Sequence, residues 1–250
     1  MIKTLAELDR YEDALIQQFK QQRCFQRLPT FSDEQFFQIL LQRRFLSLAF
    51  TPVYDLAIDG LTDPKAKQTA RRILREEYPG ERGTVPSHRE DLMSDLLQLG
   101  LTRQAILNTT PSPATLAVIQ ETFALFADAA DDELYQVKLL TILRFWGEVL
   151  IAAEYEMLWG RLQTLGLTAT GPQRSRFYYL HFIHDAKQKP LTHLSLIGAT
   201  HSDLVAVCLK TLLTSAPAIA HCAQVEEKIV MIKTAFYAHF ASEFCGDTSF

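Results

Sequence analysis

The residues of this chain with chemical promise are carboxylates and imidazoles set among apolar neighbours: Glu148 in LRFWGEVLIAA, His181 and Asp185 in RFYYLHFIHDAK, and Glu77 with His88 in REEYPGERGTVPSHRE. A buried charge is costly unless it is paired or bound to metal, so such positions point to ion pairs or to ligation. His181-x-x-x-Asp185 puts an imidazole and a carboxylate on one helical face, a geometry that suits metal binding in helical bundles. The ordinary alternative is a hydrogen bond that orients the ring. Around Glu148 the neighbours one turn away are Phe145, Ile151 and Ala152, and a salt bridge to Arg144 at i−4 or a wet groove competes with a metal role. Glu77 continues the stripe of Ala66, Ala70 and Ile73 at heptad spacing from Ala70, with Glu76 farther round. Both glutamates could equally be exposed near a helix end, and His88 could be a capping or neutral core histidine. Carboxylates and imidazoles without thiolates favour iron or manganese over soft-metal chemistry.

The elements that must position these groups read as helices, because apolar residues recur at three- and four-residue spacing and strict alternation is rare. The first helix is expected from Thr4 to Gln22, with Leu5, Leu8, Leu15 and Phe19 on one face and its charges on the other. Ser32 and Gln35 form a capping box for a second helix that runs to Tyr54 and is kinked at Pro52. A third opens at Asp63-Pro64 and ends near Pro79-Gly80. Ser87 caps the next, which stops at Gly100, and another covers Pro113 to Ala129. Asp128, Asp131, Asp132 and Glu133 read as a solvated cap rather than a metal cluster. A long apolar helix from Glu133 to Leu165 should lie centrally, and Glu154 and Glu156 read as surface groups near its end. The helix bearing His181 breaks at Pro190, Thr200 or Ser202 restarts it, and the last helix covers Gln224 to Phe244. The expectation is an all-α fold, a single helical domain over residues 1–250 with seven or eight helices.

The chain has 250 residues, 48% of them hydrophobic, and its 29 acids against 25 bases leave a net charge of −4. That composition excludes disorder and gives no electrostatic reason to expect a nucleic-acid partner. Cys24, Cys208, Cys222 and Cys245 form no C-x-x-C pair, and four reduced, mostly buried thiols are expected. The N-terminal segment has no uninterrupted apolar core, and no segment approaches the roughly 20 apolar residues of a membrane helix. A cytoplasmic protein with no membrane partner is the expectation.

Taken together, a glutamate ending one helix, a histidine opening the next, a glutamate in an apolar helix and then His-x-x-x-Asp resemble the heme-oxygenase-like diiron oxidases. That superfamily of helical bundles also holds the TenA-type thiaminases, the pyrroloquinoline quinone synthase and the CADD-like proteins. The likeness covers about residues 65–240. It implies two irons and dioxygen as co-substrate, a small organic substrate such as an amino acid or a derivative, and Glu77, His88, Glu148, His181 and Asp185 as metal ligands. The family's last histidine would stand three residues after Asp185, where this chain has Gln188. The resemblance then implies either that His201, ahead of His193 and His184, is returned to the site by the intervening loop, or that the second iron has fewer protein ligands. The segments EEYP, PSHREDL and FWGE are similar to a cyanobacterial CADD-like branch that includes a nitrile-forming enzyme. Nitrile formation and carbon–carbon cleavage are therefore both open, as are the substrate and the oligomeric state, with a homodimer among the options.

Two rival classes stand beside this reading. A cofactor-free TenA-like hydrolase would use a nucleophilic cysteine, yet none lies in a helix bearing the candidate acids. A non-catalytic helical interaction protein would account for the missing histidine and leave Glu148 unexplained. Arg43, Arg44 and Lys187 could pair with a substrate carboxylate, although surface positions are the expectation for each.

Overall fold

A computed structural model of the chain describes residues 2–80, 84–127, 132–195 and 197–245. The fold is all-α; among the described residues the only β-type pairing is one bridge between Thr168 and Arg174. In chain order the helices are α1 (Leu5–Lys20), α2 (Arg23–Arg27), α3 (Asp33–Leu48), α4 (Phe50–Gly60), α5 (Pro64–Arg75), α6 (His88–Gln98), α7 (Arg103–Asn108), α8 (Pro113–Ala124), α9 (Asp132–Thr141), α10 (Leu150–Thr164), α11 (Tyr178–His184), α12 (His201–Leu212) and α13 (Ala216–Cys245). A π-helical segment, Ile142–Val149, joins α9 to α10 in one unbroken rod. Its residues are all buried, and α1, α4, α11, α12 and α13 pack around the rod.

There are more helices than the expected seven or eight because several long stretches break. Pro52 does not kink a continuous helix: α3 ends at Leu48 and α4 restarts at Phe50, so the proline falls in a first turn, where its missing N–H costs nothing. Ser215 similarly caps α13, whose first turn accepts Pro217, so this helix starts at Ala216 rather than Gln224. α8 stops at Ala124 instead of Ala129, and α7 is an additional short helix. Asp128 and Asp131, and the side chain of Asp132, lie outside the described residues, so the expected acidic cap is not seen. The helix after Phe177 is shorter than expected, ending at His184 rather than near Pro190. α6 closes at Gly100, whose φ of +95° is a left-handed conformation that glycine adopts without strain.

The expected polar face of α1 is partly wrong. Asp9 and Glu12 are buried with Leu8 and Leu15 because other segments place donors against them. Asp9 accepts from the backbone N–H groups of Leu191 (2.6 Å) and Thr192 (3.1 Å) and from the Thr192 hydroxyl. Glu12 bonds Arg144 in a two-pronged pair and meets Lys187 at 2.9 Å. Burial pushes the Glu12 carboxyl up, but Arg144 and Lys187 outweigh it and pull the group down to about 2. These contacts hold the loop 186–200 against α1.

α6 and α11 are tied by Asp95, which is fully buried. Its carboxylate accepts from Ser175 Oγ (2.6 Å) and from the backbone N–H groups of Arg176 (2.9 Å), Phe177 (3.0 Å) and Tyr178 (3.3 Å). It thereby satisfies the open N-terminal turn of α11 from a neighbouring helix. Asp95→Ala would strand several buried N–H groups and is expected to lower unfolding free energy by about 3 kcal/mol or more. Urea denaturation measures this, and a loss below about 0.5 kcal/mol would contradict the clamp.

Candidate metal centre

Two triads of ligand-type side chains form where the central rod meets α6, α11 and α12. Glu77, His88 and His181 make one; Glu148, Asp185 and His201 make the other, and within each a ligand atom from every member lies within 4.8 Å of the others. The structure thus brings together all six residues expected at the site, and it divides the His-x-x-x-Asp pair between the triads. His184 sits at the edge, its ring 6.3 Å from that of His201. His193 instead bonds Thr192 in the exposed part of the loop, and Gln188 is exposed.

In the first triad, α5 ends at Arg75, and Glu76, Glu77 and Tyr78 continue as tight turns with i→i−3 bonds. Glu77 therefore does not extend the helical stripe, as the heptad spacing predicts; the turn carries it to His88, whose Nδ1–H donates to its Oε1 at 2.8 Å. His88 is the first residue of α6, set by the capping box of Ser87 and Glu90. Burial lowers the proton affinity of His88, but Glu77 and its neighbours raise it overall. His181 donates its Nδ1–H to the Phe177 carbonyl at 2.8 Å, which leaves Nε2 as the lone-pair nitrogen. Burial, with the His88 charge next, holds the His181 pKa well below the usual imidazole range, so this ring is neutral.

The second triad is more deeply buried, with Glu148 1% and Asp185 3% exposed. Glu148 lies in the π-helical segment, where the Leu150 N–H reaches back to the Phe145 carbonyl. The wider turn takes Arg144 off the face of Glu148. The i−4 salt bridge weighed from the sequence is absent, and Arg144 pairs with Glu12 instead. Tyr54 donates its hydroxyl to Glu148. Gly147 makes room for that contact, since a Cβ there would lie 2.8 Å from Tyr54 Cε2. Burial and Glu148 raise the Tyr54 pKa well above its ordinary value, which keeps the phenol a donor.

His201 reaches this triad because Thr200 caps α12 in a capping box with Asp203. The hydroxyls of Thr200 and Ser202 both donate to the Ala186 carbonyl, at 2.9 and 3.1 Å. The start of α12 is thus fastened to the residue that follows Asp185. His201 Nδ1 lies 3.3 Å from Asp185 and 3.6 Å from Glu148, and its Nε2 lies 3.4 Å from Glu76. Burial alone would lower its pKa, but the bonds to Asp185, Glu148 and Glu76 raise it to about 12. Burial and the neighbouring Glu148 raise the Asp185 pKa well above the carboxylate range. A cavity of about 120 Å³, lined by residues of both triads with Glu76 and His184, opens beside them.

The architecture around these triads has known counterparts. A CADD-like protein of unknown function from Nostoc punctiforme superposes with a TM-score of 0.67 over 98% of this chain and 99% of that one, at 16% identity. A domain of unknown function with a heme oxygenase-like fold from Shewanella denitrificans gives 0.66 over 98% and 95%, at 18% identity. The chain has the heme-oxygenase-like fold. A TenA family transcription regulator from Silicibacter is similar over 95% and 96% of the two chains, with a TM-score of 0.57 and 13% identity. No protein-family model and no curated protein matches the chain.

Within this heme-oxygenase-like bundle, other charges expected on the surface are buried. Glu154 is 0% exposed and accepts from Arg43 (2.7 Å), Tyr237 (2.6 Å) and Lys233 (3.4 Å), whereas Glu156 is exposed and pairs with Lys20. Arg43 and Lys187 are thereby committed to protein carboxylates. Tyr54, Asp95 and Asp9 were missed from the sequence. Asp95 had a readable signal, a carboxylate one turn from Asp91 and flanked by Leu92 and Leu96, the same kind of signal that singled out Glu148. Nothing in the sequence marked Tyr54.

In the metal-free chain the His201 proton stands where a cation would. Its pKa is raised on folding, so its stabilising contribution is complete below the unfolded value of about 6.5 and declines as pH rises toward about 12. NMR titration of the metal-free protein should find the His201 ring charged at pH 9, and Asp185→Asn should move its titration toward neutrality. A ring already neutral at pH 7.5 would contradict the triad geometry.

Proposed function

We propose that this chain is a non-heme diiron enzyme that uses dioxygen to oxidise a small organic substrate, an amino acid or a derivative of one. The observation that carries the reading is the pair of triads, each with imidazole nitrogen and carboxylate oxygen converging, whereas the buried Glu12 and Glu154 are matched by protein cations. This donor set, free of thiolate, suits iron or manganese. The orientation of His181 adds support, because its Nδ1–H is occupied by Phe177 and its Nε2 is available. When bound, the iron pair supplies the redox chemistry that activates dioxygen toward the substrate.

The chain's own residues supply position and protection. Glu77, His88 and His181 would hold one iron; Glu148, Asp185 and His201 the other. Tyr54 fixes the rotamer of Glu148 and keeps its phenolic proton, while Phe177 fixes the tautomer of His181. Phe145, Trp146 and Val149, the neighbours of Glu148 in the rod, are buried. A cofactor-free hydrolase of the TenA type finds less support. Cys24, Cys208 and Cys222 are buried free thiols, and burial raises the pKa of Cys208 and Cys222. The described contacts of these two are with Thr69 and with Thr141 and Glu226, not with the triads.

Anaerobic loading with ferrous iron followed by elemental analysis should find about two irons per chain, and about one in Glu148→Ala or His181→Ala. Oxygen uptake by the loaded protein with a panel of amino acids should then show substrate-dependent consumption. No iron retained by the native chain, unchanged by either substitution, would overturn the proposal.

A further inference from the structure

His201 differs from His181 in which ring nitrogen it turns inward. His181 donates its Nδ1–H to the Phe177 carbonyl and so presents Nε2. His201 does the reverse: its Nδ1 lies 3.3 Å from Asp185 and 3.6 Å from Glu148, the two buried carboxylates of its triad. Its Nε2 lies 3.4 Å from Glu76 Oε1, and the Glu76 side chain is 44% exposed against 18% for His201. One ring thus reaches from two buried carboxylates to an outer one.

Glu76 owes this place to the way α5 ends. It is the C-cap residue, and its N–H bonds back to the carbonyls of Ile73 and Leu74. The next residue, Glu77, meets His88 in the other triad, so two consecutive carboxylates serve different triads. Glu76 and His201 both line the cavity of about 120 Å³ beside the site. The nitrogens of an imidazole point away from one another, so a carboxylate that faces Nε2 does not share a cation with Nδ1. The ring nitrogen that ligates a metal must be bare, and the hydrogen bond made by the other nitrogen decides which one that is.

Resting on the diiron reading, we propose that Glu76 is the positioning residue of the second triad: it accepts the Nε2–H of His201, fixes that tautomer, and leaves the Nδ1 lone pair facing Glu148 and Asp185 for the metal. His181 and His201 then ligate through opposite nitrogens, the first set by a backbone carbonyl and the second by a carboxylate. A carboxylate behind the ring also makes its bare nitrogen a stronger donor. Glu76 acts through His201 and is not itself a ligand.

Zinc, a divalent ion without redox chemistry, tests this apart from any activity. Calorimetric titration of the metal-free protein should find about two ions per chain. Glu76→Ala should weaken one of them about 10- to 100-fold and leave the other unchanged. Glu76→Gln, whose amide oxygen still accepts a hydrogen bond, should lose less. Long-range proton–nitrogen NMR spectra of the zinc-loaded chain, labelled with ¹⁵N at histidine, should show His201 ligated at Nδ1 with its proton on Nε2, and His181 ligated at Nε2. Loss of the signals in His201→Asn assigns the first ring. The spectra of the native chain decide the tautomer even if a Glu76 variant fails to fold, which thermal melts check. His201 ligated through Nε2, or native affinity for both ions in Glu76→Ala, would overturn the assignment and leave the diiron reading standing. A chain that takes up no zinc would overturn both, because zinc binds nitrogen and oxygen sites more tightly than ferrous iron does.

Discussion

Glu148 and Asp185 stand together out of water with one imidazole, His201, between them and Glu76. Two buried carboxylates at this range repel one another, and each loses hydration worth several kcal/mol. Something positive has to occupy the space between them. In the metal-free chain the His201 proton does this, with Asp185 drawn toward its protonated form. The rest of the site follows from that requirement. The loop 186–200 must return His201 to a helix that has already ended, and Asp9, Lys187 and the hydroxyls of Thr200 and Ser202 fasten it there.

The same economy runs through the interior. Glu12, Arg144, Lys187 and Glu226 form one charged cluster and Glu154, Arg43, Lys233 and Tyr237 another, both adjoining the central rod. In each, the carboxylates meet protein cations. At the triads the carboxylates outnumber the available cations, and only protons make up the difference. That contrast separates the structural ion-pair networks from the triads, where the metal ions are proposed to bind. Breaking a structural pair leaves an unmatched charge, whereas filling the triads with metal removes one.

Much of this was legible in the sequence, because the fold's helical periodicity is strong and because ligand-type residues on apolar stripes are conspicuous. Glu148 was found that way, and so were His181 and Asp185. What the sequence concealed was local geometry. A π-helical turn cannot be read from spacing, so a salt bridge from Arg144 to Glu148 stood among the alternatives, whereas Arg144 pairs with Glu12. α5 ends before Glu77, so this carboxylate meets His88 from a turn and not from the helical stripe that the heptad spacing suggests. Glu154 was assigned to the surface because its cationic partners come from α3 and α13, far away in sequence. Tyr54 was unreadable for the same reason: its partner is set by tertiary packing.

The central claim is that two metal ions, one per triad, replace the protons that now balance these carboxylates. Anomalous diffraction at the iron edge, from crystals loaded with ferrous iron without oxygen, tests it most directly. The account predicts two peaks, one bonded to Glu77, His88 and His181 and the other to Glu148, Asp185 and His201. Crystals that give no peak within either triad, or whose iron binds elsewhere on the chain, would contradict it.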